Sequence, residues 1–207
     1  MMSVNAAAGL FGCGLLALAM VAAGLRRQRL SVRARIAVML AAGLTVFVPF
    51  GELSVAGYVR GVTGDVSMTT LILAGAACIE QLTGRALIGR RDRQGLLWLV
   101  AGGAAFLYPF ALGLTYFDPY ALGYGSAAFV TALLLATLAA WYARLNLIVL
   151  VVIAAALADL GGAYESQNLW DYLIDPLVAL YAMAWLLAGA WRRYREGARV
   201  HSIREAS

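Results

Sequence analysis

Carboxylates, one arginine and a set of aromatic rings are the residues of this sequence whose types and spacing could do chemistry. The stretch YVRGVTGD, Tyr58 to Asp65, sets a guanidinium five residues ahead of a carboxylate. A second stretch, YESQNLWDYLIDP (164–176), gathers Glu165, Trp170, Asp171 and Asp175 among amides and tyrosines. Asp159 closes the apolar run VIAAALADLGG. An ionised group at the edge of an apolar run is costly unless it faces a cavity or a partner. Arg60 is therefore expected to neutralise Asp159 or one of its neighbours in a shared cluster. The competing reading is a local surface pair with Asp65, worth about 0–1 kcal/mol. Asp175, directly before Pro176, also has the form of a helix N-cap followed by proline at the first helical position. The candidate binding residues are Arg60, Asp65, Asp159, Glu165, Trp170, Asp171 and Asp175, with no catalytic set defined. Carboxylates beside aromatic faces suit a cation or a polar, sugar-like ligand.

Residue types also exclude chemistry. All sixteen basic residues are arginine, so a lysine Schiff base, including that of a retinal-binding pump, is ruled out. The single histidine, His201, lies in the C-terminal tail, which leaves no histidine-rich metal site or bis-histidine haem. Cys13 and Cys78 sit singly in apolar runs and read as small buried hydrophobes. There is no Gly-rich phosphate loop, zincin motif or nucleophile elbow. Neither a metal nor a cofactor is expected. Glu80, five residues before Arg85, reads as its ion-pair partner.

The elements that must position these groups are apolar. The chain is 63% hydrophobic and 13% charged, with a mean hydropathy of +0.80, against about 45–50% and about 25% for a soluble domain. The fold class expected is all-α, a polytopic transmembrane helix bundle. Its seven spans fall at about 5–25, 34–51, 67–84, 95–115, 125–143, 146–161 and 173–191. Residues 1–191 form the bundle and 192–207 a polar, basic tail. Fifteen arginines fall in connections that share one side, leaving Arg60 opposite, so the N-terminus is expected outside and the C-terminus inside. Seven acids against Arg60 leave a formal −6 outside, and fifteen arginines against four acids leave +11 inside.

Two secondary patterns accompany the spans. AAGLTVFVPFGELS (41–54) can be laid over AGGAAFLYPFALGL (101–114), either as a repeat or by chance among similar helices. Tyr58, Tyr108, Tyr116, Phe117, Tyr120, Tyr124, Tyr164, Trp170 and Tyr172 gather toward the outer face, as an interfacial belt or as a binding surface.

This architecture leads to a multi-pass protein of the bacterial inner membrane with three functional readings. The first is a binding or transport component whose acidic, aromatic periplasmic cup takes a cation or polar solute. The second is a carboxylate-dependent enzyme or accessory subunit acting on a lipid-linked cell-envelope intermediate. The third is a structural subunit of a membrane complex. The partners expected are membrane lipids, a partner membrane subunit or a second copy, and a polar solute or lipid-linked substrate. Nucleic acid is excluded, because the arginines track the ends of apolar runs and do not form a separate basic module.

Overall fold

Serines open several of the helices. In the computed structural model, which describes residues 4–111 and 117–205, the described elements are α1 (Val4–Leu25), α2 (Val32–Val46), β1 (Pro49–Phe50), β2 (Leu53–Ser54), α3 (Val55–Thr63), α4 (Met68–Thr83), α5 (Arg90–Ala111), α6 (Ala127–Tyr142), α7 (Asn146–Leu160), α8 (Leu169–Leu173) and α9 (Pro176–Glu205). A single 3₁₀ turn, Tyr120–Gly123, precedes α6. Ser31, Ser54 and Ser67 cap α2, α3 and α4, each hydroxyl accepting a backbone N–H three residues on at 3.2 Å. Such a cap is worth about 1 kcal/mol. Gly84 ends α4 in the left-handed conformation (φ 69°), which lets the chain turn toward α5 without a Cβ clash.

The main core lies among α5, α7, α8 and α9, where Leu96, Leu97, Val100, Ala155, Tyr172 and Ala182 are all but inaccessible. A smaller core joins α1, α2 and α4 through Ala22, Met39 and Cys78. Both cysteines are free and buried. Small residues allow close approach in α5, where Ala101 and Ala104 are buried.

The chain does not build the seven-span bundle that its composition suggested. Among the described residues, one helix, Asn5–Leu25, is long and apolar enough by length and composition to cross a membrane. A core helix, a signal sequence and a single anchor all share those properties, and here α1 packs along α3 and α4 with Cys13 and Ala22 fully buried. The other apolar helices, α4, α6 and α7, have 16, 16 and 15 residues. At 1.5 Å per residue they reach about 22–24 Å, short of a hydrocarbon core about 30 Å thick. The segment 34–51 leaves helix at Val46 and enters the β1–β2 hairpin. α5 carries Arg90, Arg91, Asp92 and Arg93 within its first turn and Pro109 near its end. The inside–outside assignment, the polytopic membrane character and the multi-pass inner-membrane location fall with the spans.

The apolar side chains instead fill the two cores and part of the exterior. Leu134, Leu135 and Leu138 of α6, Leu157 and Leu160 of α7, and Leu180 and Leu187 of α9 are exposed. The two Pro-Phe segments are not a structural repeat: Pro49–Phe50 forms β1, whereas Pro109 and Phe110 lie within α5. Tyr116 and the end of the segment 95–115 lie outside the described residues.

Candidate functional site

The residues singled out in the sequence gather mostly at one end of the molecule. Arg60 stands in the last turn of α3, and Gly64 (φ 70°) reverses the chain after it. The reversal brings Asp65 back onto the guanidinium, with Nε donating to Oδ1 at 2.7 Å and Nη2 to Oδ2 at 3.3 Å. The two side chains are 25% and 18% exposed, which makes this a sheltered, two-pronged pair and not a loose surface contact. α1 runs directly over it. A Cβ added at Gly9 would lie 1.9 Å from Asp65 Oδ1 and 2.6 Å from Arg60 Nε. Gly9→Ala is therefore expected to disrupt the ion pair or displace α1, lowering thermal stability by about 1–3 kcal/mol. Gly24→Ala, where the added Cβ would meet nothing within 4 Å beyond its own helix, serves as the control in the same melting experiment.

Asp175 is nearly inaccessible, at 4% exposure, and has four hydrogen bonds. Oδ1 accepts the Val178 N–H at 2.8 Å and caps α9. Oδ2 accepts the Ser67 N–H and hydroxyl, both at 2.8 Å, and the Thr70 hydroxyl. One carboxylate thus terminates two helices, α4 and α9, where the exposed amide dipoles favour a negative charge. Asp171 of α8 accepts the Tyr120 hydroxyl at 2.9 Å and the Ser166 hydroxyl at 2.6 Å. Trp170 is buried, its indole N–H donating to the Pro119 carbonyl at 3.0 Å. Asn168, also fully buried, donates to the Tyr120 carbonyl and caps Trp170. The Tyr164 hydroxyl donates to the Val66 carbonyl at 2.7 Å, and its ring stacks on Tyr172 at 5.0 Å.

Asp65, Asp171 and Asp175 line one half-open cavity of about 370 Å³, together with Tyr108, Tyr120, Tyr164 and Ser166. Burial, with Asp175 and Asp171 nearby, pushes the Tyr108 hydroxyl up to about 12, so it remains a neutral donor through the physiological range. Glu165 is exposed and shares a broader cleft of about 730 Å³ with Arg60 and Glu52. Asp159, at the end of α7, belongs to neither space, and the carboxylate that Arg60 holds is Asp65. No group of three or more His, Cys, Asp or Glu among the described residues could hold a metal ion.

Burial raises the Asp159 carboxyl above its ordinary value. A carboxyl that is harder to ionise folded than unfolded takes stability away as pH rises through that range. Asp159→Asn is therefore expected to be more stable than the parent at pH 7, with the difference vanishing below about pH 3. A pH series of thermal melts measures it.

At the opposite end of α4 the structure assembles a second charged group. Glu80 is 13% exposed and accepts Arg26 Nη2 at 3.2 Å and Arg93 Nη2 at 3.4 Å. It also accepts the backbone N–H groups of Leu87 and Ile88. Arg85, the expected partner, instead donates its backbone N–H to Thr83 Oγ1. A groove of about 310 Å³ runs from this group between α1, α4 and α9. Its walls are Leu16, Ala19, Met20, Leu73, Ala77, Leu177 and Tyr181, and Arg26 and Arg93 stand on its lining. The one clue to this site in the sequence is an acid late in an apolar run. Its partners lie 54 and 13 residues away and carry no local signature.

The chain matches no family model, no curated protein and no solved structure. Function must follow from the geometry. The transport, lipid-linked-enzyme and membrane-subunit readings all presupposed a seven-span bundle with a periplasmic cup, and they fall with that bundle. Within the supposed cup, Asp65, Asp171 and Asp175 are each engaged by protein donors.

Proposed function

We propose that the protein binds a single-chain anionic amphiphile, of the fatty-acid class, in the groove between α1, α4 and α9. The observation that carries this is the joining of apolar walls to two arginines that share one carboxylate. Two guanidinium charges against Glu80 leave one positive charge over, which a monoanionic head group balances. Arg26 and Arg93 keep unused N–H donors in the forked arrangement that suits a carboxylate. From Leu16 to Leu25, next to Arg26, the α1 wall extends about 14 Å, enough for a medium-length alkyl chain. Each methylene removed from water contributes about 0.8 kcal/mol, or roughly fourfold in affinity. Tyr181, which lines the groove, and its neighbour Leu180 are exposed and support a lipid surface as the source of the amphiphile.

Calorimetric titration with decanoate, dodecanoate and dodecylamine tests this. Dodecanoate is expected to bind more tightly than decanoate by roughly tenfold, and the amine weakly or not at all. Arg26→Gln and Arg93→Gln are each expected to weaken dodecanoate about tenfold by removing a charge-assisted contact. Equal binding of acid and amine, or indifference to both arginine substitutions, removes the proposal.

A further inference from the structure

A separate cavity of about 200 Å³ opens between α5 and α6, and its lining is almost wholly apolar. We propose that it is a second binding site, for a small uncharged aromatic molecule of about one ring. Val100, Val151 and Val152 are buried and form its floor, whereas Ala132 and Ala136 of α6 stand exposed at its mouth. The side wall is a pair of rings, Phe129 and Trp170, with centroids 4.5 Å apart and planes tilted by 34°. The Trp170 half of that wall is fixed in advance. The Trp170 indole is anchored to the Pro119 carbonyl and its backbone N–H to Asn168. A ring entering the cavity meets Trp170, an aromatic face whose side-chain freedom has already been lost.

The lining also excludes other guests. Its one polar side chain, Thr69, already donates its hydroxyl to the Leu173 carbonyl. Water needs two to four polar partners to settle in such a space, and an ion needs more. Enclosed apolar cavities of somewhat smaller size accept benzene or xenon. The site shares no lining residue with the groove at Arg26 and Arg93, so it stands or falls independently of the amphiphile proposal.

Thermal-shift and calorimetric titrations of the full chain with toluene, benzoate and benzylamine test the assignment. Saturable binding of toluene is expected, with the two charged analogues at least tenfold weaker. Ala132→Leu and Ala136→Leu place a larger side chain in the mouth from an exposed helix face, where the fold tolerates it. Each is expected to weaken toluene at least tenfold while leaving dodecanoate binding unchanged. The proposal is overturned by the absence of saturable toluene binding, by benzoate binding as tightly as toluene, or by unchanged toluene affinity in whichever of the two variants folds. Competition between dodecanoate and toluene would also overturn it, because the alkyl chain would then occupy this cavity.

Discussion

Asp175→Ala is expected to lower stability by about 3–4 kcal/mol, the largest loss from any single side chain at this end of the molecule. The substitution leaves the Ser67 and Val178 N–H groups and the Ser67 and Thr70 hydroxyls without their acceptor. Hydrogen bonds to a charged group contribute roughly 1.5–3 kcal/mol each, and a buried donor left unpaired costs about 1–3 kcal/mol. The bonds share one carboxylate and are not additive, which keeps the total below their sum. For a chain of this size each kcal/mol moves the melting temperature by about 2–4 °C, so a fall of roughly 6–15 °C is expected. Ser67→Ala removes part of the same network and should cost about 1–2 kcal/mol. Combined with Ser67→Ala, the Asp175 substitution should cost less than it does alone. Strict additivity in that cycle would show that the carboxylate does not couple the starts of α4 and α9.

Glu80→Gln is expected to change stability and binding in opposite directions. Glu80 holds Arg26 and Arg93 at 3.2 and 3.4 Å and accepts two backbone N–H groups. Glutamine keeps an oxygen acceptor but loses the charge, so the melting temperature should fall by a few degrees, about 1–2 kcal/mol. The groove would then face two uncompensated guanidinium charges in place of one. Removing a negative charge about 4 Å from a bound carboxylate is worth about 1 kcal/mol in water-like surroundings, so dodecanoate should bind roughly fivefold more tightly. Added salt should shrink that gain by screening. Unchanged or weaker binding by Glu80→Gln would refute the charge argument on which the amphiphile site rests.

Much of the local structure can be read from the sequence. Among the described residues each of the seven apolar runs falls at least in part on a helix, with α1 and α7 within a residue of their expected ends. The Asp175–Pro176 pair carries the signature of a cap, and Asp175 is the cap of α9. Of the seven candidate binding residues, Asp65, Asp171 and Asp175 line one cavity, whereas Arg60, Asp159, Glu165 and Trp170 do not line it. The short helices α3 and α8 had no apolar run to announce them, and the β1–β2 hairpin interrupts a stretch read as helix.

Apolar content by itself does not say what covers a helix. A helix of 15 residues can bury one face in a core and leave the other exposed, as α7 does, and the composition is the same as for a span. Arg60 had two candidate partners. The structure gives it the nearby one, Asp65, because Gly64 turns the chain back within two residues and α1 closes over the pair. Residue types, helical runs and capping signals are local properties, set within a few positions along the chain, and the sequence alone determined them. The joining of Glu80 to Arg26, the joining of Asp175 to Ser67 across 108 residues, and the two grooves between helices depend on how whole elements pack. Only the tertiary structure decided those, because which helix faces which is set by the summed fit of many side chains that no short stretch contains.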